Sequence, residues 1–526
     1  MKEKIADLIR KIAAGDAAAE ITVPDDEKNG HYATNVAFRL AKERRQRPLE
    51  VAEELAEKIG KAAPPGFLSK VEAAAPGFVN FWIAPDAFYG ELKTILKTKE
   101  KYGRNKSGGG KKIQIEFISA NPTGPLTVGN GRGGFLGDSL AEILKFCGWR
   151  AEREYYVNDA KSSAQIRELG KTALGKGTSY LTEELAEKIK KLKLKKGAGE
   201  EDAGSLLARE LMKENRRFIE KELKIKFNSW FSEESLYESG AVWEILEELK
   251  KKDLAYEKDG AWWFRAARFG DTEDRVLVRS SGEPTYFLPD LAYHLNKFKK
   301  KKFNEVIDIW GADHYGYAPR LKAGLKALGV EGDRIHFIIL QLVRLVRGGE
   351  EVRMSKRKGE FITLKELIDE VGLDAARFFF LMYSPDTHMD FDLALAKERS
   401  LKNPVYYVQY AFVRILGILA KLKAAERKLP PKTDLSPLDT AEDFRLMRLL
   451  ARFPEAVREA AENRAPAILV RYSLETARAF HDFYEKERIV GEEKRKAAAR
   501  LALALAAKIV LENTFNILGV SKPKKM

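Results

Sequence analysis

The sequence predicts an α/β protein of several domains: a core with a parallel sheet, split by a helical insertion, with an α+β unit before it and a bundle of helices after it. Lys112 to Phe117, Gly133 to Phe146 and Ala151 to Val157 read strand, helix, strand, which opens a parallel sheet. Glu305 to Trp310, Pro319 to Leu328 and His336 to Val346 repeat that order far downstream. From about residue 364 to the end the apolar spacing is helical throughout. At 526 residues there is room for about three or four domains with self-sufficient cores. The expected divisions are 1–105, 106–372 with an insertion at about 158–280, and 373–526.

Taken in order, residues 1–62 read as helices, because Ile5, Leu8, Ile9 and Ile12, and then Val51, Leu55 and Ile59 after Pro48, recur at helical spacing. Asn29 to Asn35 is a turn that opens another helix, and Phe67 to Val71 and Phe78 to Ile83 are short strands. Asn105 to Gly110 is a flexible joint into the parallel sheet. The insertion is mostly helical and rich in lysine, and Lys188 to Lys196 reads as a solvated face. Pro430, Pro431 and Pro437 mark a loop within the helical region, and Lys494 to Leu518 is a last helix rich in leucine and alanine.

Lys plus Arg number 93 and Asp plus Glu 78, a formal charge of +15 on a chain that is 33% charged and 44% hydrophobic. That balance describes a folded protein with a basic surface, compatible with an acidic macromolecular partner or with a merely basic protein. The single cysteine, Cys147, excludes intramolecular disulfides and zinc fingers or ribbons, so no protein-bound metal is expected. No apolar run reads as a membrane span and the N-terminus lacks a hydrophobic signal core, so a soluble, cytoplasmic protein with no membrane partner is expected.

Two segments carry chemistry. Ile115 to Gly134 places a strand, then Asn121, Pro122, Gly124 and Pro125, then the glycine-rich start of a helix, an arrangement that aims backbone N–H groups at an anion. Gly129, Gly131 and Gly134 match a dinucleotide fingerprint by letter, but about ten residues separate them from the strand where that fingerprint needs its glycines directly after it. Arg353-Met354-Ser355-Lys356-Arg357-Lys358-Gly359 gathers cations on a glycine-bounded loop after the last strand of the sheet, suited to a polyphosphate whose charge grows as a leaving group departs.

Together these segments resemble the signature pair of the class I aminoacyl-tRNA synthetases, with Thr127-Val128-Gly129-Asn130 in the place of the HIGH motif and Arg353-Met354-Ser355-Lys356 in the place of KMSK. The surrounding residues are similar to the arginyl-tRNA synthetase family over most of the chain. Gly30 to Asn35 and Pro76 to Phe81 resemble its N-terminal domain that contacts tRNA. Trp310 to His314, Asp374 to Arg377, Asp390 to Asp392 and Asn403 to Tyr410 resemble its catalytic and later segments, and Leu518 to Ser521 with Met526 the end of its anticodon-binding domain.

The resemblance implies a Rossmann-type catalytic domain, an all-α anticodon-binding bundle, and ATP-dependent ligation of L-arginine to tRNA(Arg) through an arginyl-adenylate. ATP would enter as its Mg2+ complex, and the protein would act as a monomer. Thr127, Gly129, Asn130 and Lys356 would be catalytic. Thr127, Val128, Gly129, Asn130, His314, Arg353, Met354, Ser355 and Lys356 would bind ATP, with adenine against Gly129. Tyr286, Asp290 and Glu116 would form the guanidinium pocket, with Ser119, Asn121 and Asp313 also in the arginine site, and Tyr410 and Met526 would touch tRNA. The Phe480 to Tyr484 cluster belongs to the core, and His294, His336 and His388 are structural.

Both histidines of HIGH are replaced, by Thr127 and Asn130, which still donate hydrogen bonds but do not titrate. Two readings follow: a synthetase that works with neutral donors, or a noncatalytic tRNA-binding paralogue.

Overall fold

The computed structural model describes residues 1–13, 20–352, 362–424 (side chains to 421) and 433–526. Arg353 to Gly359, with Lys356, and Pro430-Pro431 lie outside the described residues.

Five strands build the central sheet, in the spatial order Ile335–Leu340, Glu305–Gly311, Lys112–Glu116, Arg150–Val157, Ser229–Ser232. Every neighbouring pair is parallel. The order turns back between Lys112–Glu116 and Glu305–Gly311, so a crevice opens beyond the carboxyl ends of these two strands, where open α/β sheets bind ligands. Helix Val128–Phe146 crosses between the first two strands in sequence. It sits close because glycines line its packing face: a Cβ on Gly137 would lie 2.3 Å from Phe117, and one on Gly131 2.4 Å from Leu364. Of the glycines that match a dinucleotide turn by letter, Gly131 and Gly134 serve helix packing, against Leu364 and Ile118.

Three expectations change. Ser229–Ser232, inside the expected insertion, is an edge strand of the central sheet, and Ala255–Lys258, Ala261–Phe264 and Arg275–Val278 form a small antiparallel sheet there. The expected strand His336 to Val346 breaks at Gln341-Leu342: its second half, Val343–Arg347, pairs with Glu350–Glu351 and Met389–Asp392 in a separate sheet. Arg132, 2% exposed, fixes this break by donating to the carbonyls of Gln341, Ser384 and Thr387. In the N-terminal region Ile21–Thr22 and Tyr32–Thr34 are strands that join Phe78–Ile83 and Leu68–Ala74 in an antiparallel sheet. Tyr32–Thr34 is buried at all three positions, so it carries no alternation that a sequence pattern could show.

Helix Lys494–Leu518 is long and apolar enough by composition to cross a membrane, contrary to the expectation that no such run exists. Here it is a core helix, mostly buried against Pro404–Ala424, Ala441–Ala451 and Ala467–Lys486. It carries a buried Arg500 paired with Glu487 and Glu492. Its end meets the parallel-sheet region at one junction. Asp374 accepts from the Ser521 amide (3.0 Å) and from Gln409 (2.8 Å), while Arg377 pairs with Asp138 at 2.6 Å and donates to the carbonyl of Leu223. Segments that resemble the family in three distant stretches thus converge in space. The N-terminal unit docks on the same bundle, with the Tyr32 hydroxyl on Glu455 and the Tyr102 hydroxyl on the Leu450 carbonyl. Cys147, wholly buried at the end of helix Val128–Phe146, is core, and burial pushes its thiol pKa up.

Candidate functional site

The crevice is lined by carboxylates that the strand ends deliver. Glu116 closes Lys112–Glu116, Asp159 follows Arg150–Val157, and Glu233 follows Ser229–Ser232. Asp290 comes from the first turn of helix Phe287–Leu295. Asp159 is fixed by the Ser232 hydroxyl (2.9 Å) and the Glu234 amide (3.1 Å). Asp290 accepts from the Tyr317 hydroxyl at 2.6 Å. Burial, then the charges of Asp290 and Asp159, push Glu233 up to about pKa 8, and burial raises Asp290 as well. The Tyr156 hydroxyl is buried beside Glu233. A crevice of raised carboxyl groups is built to receive a cation, on a chain whose overall charge is +15.

Sequence reasoning missed Glu233 and Asp159. The available signal was the Trp230-Phe231-Ser232-Glu233 run itself: reading it as a fifth parallel strand places Glu233 at a carboxyl end. Assigning 158–280 wholly to the insertion hid it.

Of the expected arginine-site residues, the structure joins Glu116, Ser119 and Asp290 through one hydrogen-bonded path. The Ser119 hydroxyl donates to Glu116 Oε1 (3.1 Å) and accepts from the Tyr156 amide (3.1 Å). Glu116 Oε2 accepts from Lys297 Nζ (2.7 Å), which also donates to Asp308 Oδ1 (2.8 Å). His294 lies 2.7 Å from Asp308 Oδ2 through Nε2 and 2.8 Å from the Asp290 carbonyl through Nδ1. Ile118 and Ser119 take positive φ values, 70° and 38°, a conformation that costs energy for these side chains and turns the chain sharply out of the strand. Asn121 follows on this turn, exposed.

Tyr286 is 59% exposed, its ring 5.1 Å from that of Tyr317 and its oxygen accepting from Arg320. Asp313 and His314 form the exposed turn after Glu305–Gly311, with the His314 ring 5.5 Å from Trp310.

The helix start lies on the other flank. Asn130 Oδ1 accepts both the amide and the hydroxyl of Thr127 at 2.9 Å, which leaves the Asn130 amide N–H2 without a partner among the described residues. The Val128 side chain is in the core, so only its backbone N–H is available, whereas Gly129 is exposed with nothing but Thr127 Oγ1, at 3.7 Å, near a would-be Cβ. Thr127 bridges to Thr363, the N-cap of helix Leu364–Val371; the expected ATP contacts Arg353, Met354, Ser355 and Lys356 lie outside the described residues. At the far end, Tyr410 is half-buried, stacked on Tyr406 with Arg414 over its ring, and Met526 is 44% exposed. Phe480, His481 and Phe483 are buried, as the core reading expects. His31 accepts the Ile83 amide at Nδ1, and burial lowers its pKa to about 4.

Family models agree with the layout. One described as the arginyl tRNA synthetase N terminal domain matches residues 1–83, one for tRNA synthetases class I (R), catalytic domain, matches 161–381, and one for the DALR anticodon binding domain matches 408–526. An arginine–tRNA ligase of Desulforamulus reducens is 43% identical, over 96% of this chain and 93% of the relative. The crystal structure of a putative arginyl-tRNA synthetase from Campylobacter jejuni superposes with a TM-score of 0.74 at 31% identity, covering 84% of this chain and 99% of that one. The Thermus thermophilus arginyl-tRNA synthetase gives a TM-score of 0.80 at 22% identity, covering 100% and 99% of the two chains, a likeness of fold.

Proposed function

This chain belongs to the arginyl-tRNA synthetases, class I ligases, and on that premise we propose how its own residues carry the ligation of L-arginine to tRNA(Arg). The acidic crevice is the observation that supports the reading: Asp290 and Glu233, both raised by burial, gain a partner when a guanidinium enters, and its planar fork matches two carboxylates. Tyr286 covers the guanidinium from outside, and Glu116 completes the inner wall. Ser119 and Asn121 on the strained turn, with Asp313, orient the α-amino and α-carboxylate groups.

ATP, as its Mg2+ complex, takes its place with adenine against Gly129 and His314. Its phosphates meet the backbone N–H groups at the helix start, the free Asn130 amide, and the cations of Arg353 to Lys356, with Lys356 the main contact. The arginine carboxylate oxygen attacks the α-phosphorus, the bond to the β-phosphate oxygen breaks, and pyrophosphate leaves. The 2′-hydroxyl of the terminal adenosine of tRNA then attacks the acyl carbon and AMP leaves. Positioning and charge stabilisation supply the rate, with no covalent enzyme intermediate.

We place the tRNA-contacting unit at 1–105, the catalytic domain at 106–372 and the anticodon reader at 373–526, with Tyr410 and Met526 as contacts and the enzyme a cytoplasmic monomer. The noncatalytic alternative rests only on the absent histidines, which the Asn130 amide replaces as a donor. Charging of tRNA(Arg) by the purified protein is expected to depend on arginine and ATP. ATP–pyrophosphate exchange is expected only with tRNA present, and Lys356→Ala is expected to slow charging by at least about tenfold. Unaltered charging by that variant would remove the ATP site from this loop.

A further inference from the structure

We infer that Lys297 and His294 are positioning residues for the arginine pocket: Lys297 ties Glu116 to Asp308, and His294 ties Asp308 to the backbone of Asp290. The inference rests on the reading that Asp290 and Glu116 line the arginine site.

Lys297 projects from the irregular helical turn that continues helix Phe287–Leu295, and its side chain is 1% exposed. Its ammonium has three protons. Two go to Glu116 and Asp308, and the Tyr293 ring lies 4.2 Å away on a further side. Both ring nitrogens of His294 face acceptors, a backbone carbonyl and a carboxylate oxygen. Lys297 and His294 hold Asp308 down to about pKa 2 against its burial. The Lys297 ammonium and the His294 ring thus face the Glu116 and Asp308 carboxyl groups from one helix. Glu116, His294 and Asp308 form a donor set of the kind that holds a divalent ion, but both carboxylates already receive Lys297. The cation of this cluster is an ammonium built into the chain.

The balance matters for substrate. Glu116 and Asp308 stand on adjacent parallel strands and are paired in register, so each raises the cost of ionising the other. Burial and then Asp308 push the Glu116 pKa up, and Lys297 opposes them. The other groups around it are the Ser119 hydroxyl, the phenols of Tyr293 and Tyr156, and Glu154, which is itself paired with Lys301 and Gln114. None of these supplies a second cation to Glu116. Lys297 is committed to Glu116 and Asp308, and the carboxyl groups of Asp290 and Glu233 remain for the guanidinium.

The test is aminoacylation kinetics of the full chain at saturating ATP and tRNA. Lys297→Met is expected to raise KM for arginine by about tenfold at about pH 7, to leave KM for ATP within about twofold, and to narrow the arginine gap as pH rises and Glu116 loses its proton. Lys297→Met with Asp308→Asn, which removes one charge of each sign, is expected to recover most of the arginine affinity. Should Lys297→Met fail to fold, His294→Gln carries the same test through the Asp290 carbonyl, with an expected rise of about threefold or more in arginine KM. An unchanged arginine KM in a variant that folds, or arginine and ATP parameters falling together at every pH, would overturn the inference. An unchanged arginine KM in Asp290→Asn would instead sink the pocket itself, and the inference with it.

Discussion

Thr127 and Thr363 face each other as an isolated antiparallel bridge, and one residue on either side the Leu364 amide donates to the Leu126 carbonyl at 2.8 Å. Each threonine is the N-cap of a helix, Val128–Phe146 and Leu364–Val371. The two helix starts whose sequences resemble the flanks of the class I signature are thereby fastened together.

That fastening depends on Gly131. Leu364 occupies the space a Cβ would need, 2.4 Å from its Cδ1. Gly131→Ala is expected to cost about 1–3 kcal/mol of stability by overpacking, and to raise KM for ATP more than KM for arginine because the start of helix Val128–Phe146 shifts against Leu364. Thermal melts and the two KM values check this together; equal effects on both substrates would place the damage elsewhere.

Glu233 gives a pH signature. Its folded-state pKa of about 8 lies above the ordinary 4.5, so the folded protein holds a proton that the unfolded chain has released between these values. Stability contributed through this group therefore declines as pH rises across that window and levels off above about pH 8. Guanidinium binding favours the ionised form, so arginine affinity is expected to strengthen from about pH 6 to about pH 8 with release of a proton, and Glu233→Gln is expected to abolish that slope while weakening binding. Calorimetry in two buffers of different ionisation enthalpy measures the proton directly.

Much of this arrangement was legible in the residues, and the exceptions have physical reasons. Long periodic helices such as Lys494–Leu518, and the strands Lys112–Glu116 and Glu305–Gly311, carry continuous patterns of burial that a sequence displays. Ser229–Ser232 is four residues at a sheet edge with every position half-buried, so neither alternation nor an apolar run marks it. Missing it cost Glu233. Glu116, Ser119 and Asp290 were proposed through motif likeness, whereas Lys297 and Asp308 were not, because their contact is a pairing between a helix and a strand. No local spacing encodes such a pairing.

The junction around Arg377 bears on stability. Arg377 is 1% exposed, paired with Asp138, and a Cβ on Gly519 would sit 2.1 Å from its Nη1. Arg377→Met leaves Asp138 with Arg153 alone and strips the Leu223 carbonyl of its donor, an expected loss of about 3–5 kcal/mol. Gly519→Ala is also destabilising, since its φ of 69° and the guanidinium beside it both exclude a side chain. Denaturant unfolding of Arg377→Met, Asp138→Asn and the double variant is expected to show the double less damaged than the sum, because removing both charges leaves none uncompensated.

Thr127 and Asn130 separate by what each still offers. The Thr127 hydroxyl donates to Asn130 Oδ1 and caps the helix by accepting the Asn130 backbone N–H, so Thr127→Ala removes the cap and no donor facing outward. Asn130→Ala removes the acceptor of the Thr127 amide and hydroxyl together with an amide N–H2 that has no partner among the described residues. Charging is therefore expected to fall by about tenfold or more in Asn130→Ala and by only a fewfold in Thr127→Ala, with the larger loss in kcat because a phosphate donor acts as charge develops. Because an amide does not titrate, Asn130→His is expected to introduce a dependence on pH near about 6.5 that the natural protein lacks at this position. Equal losses in the two alanine variants would show that the Thr127–Asn130 pair serves only to cap the helix.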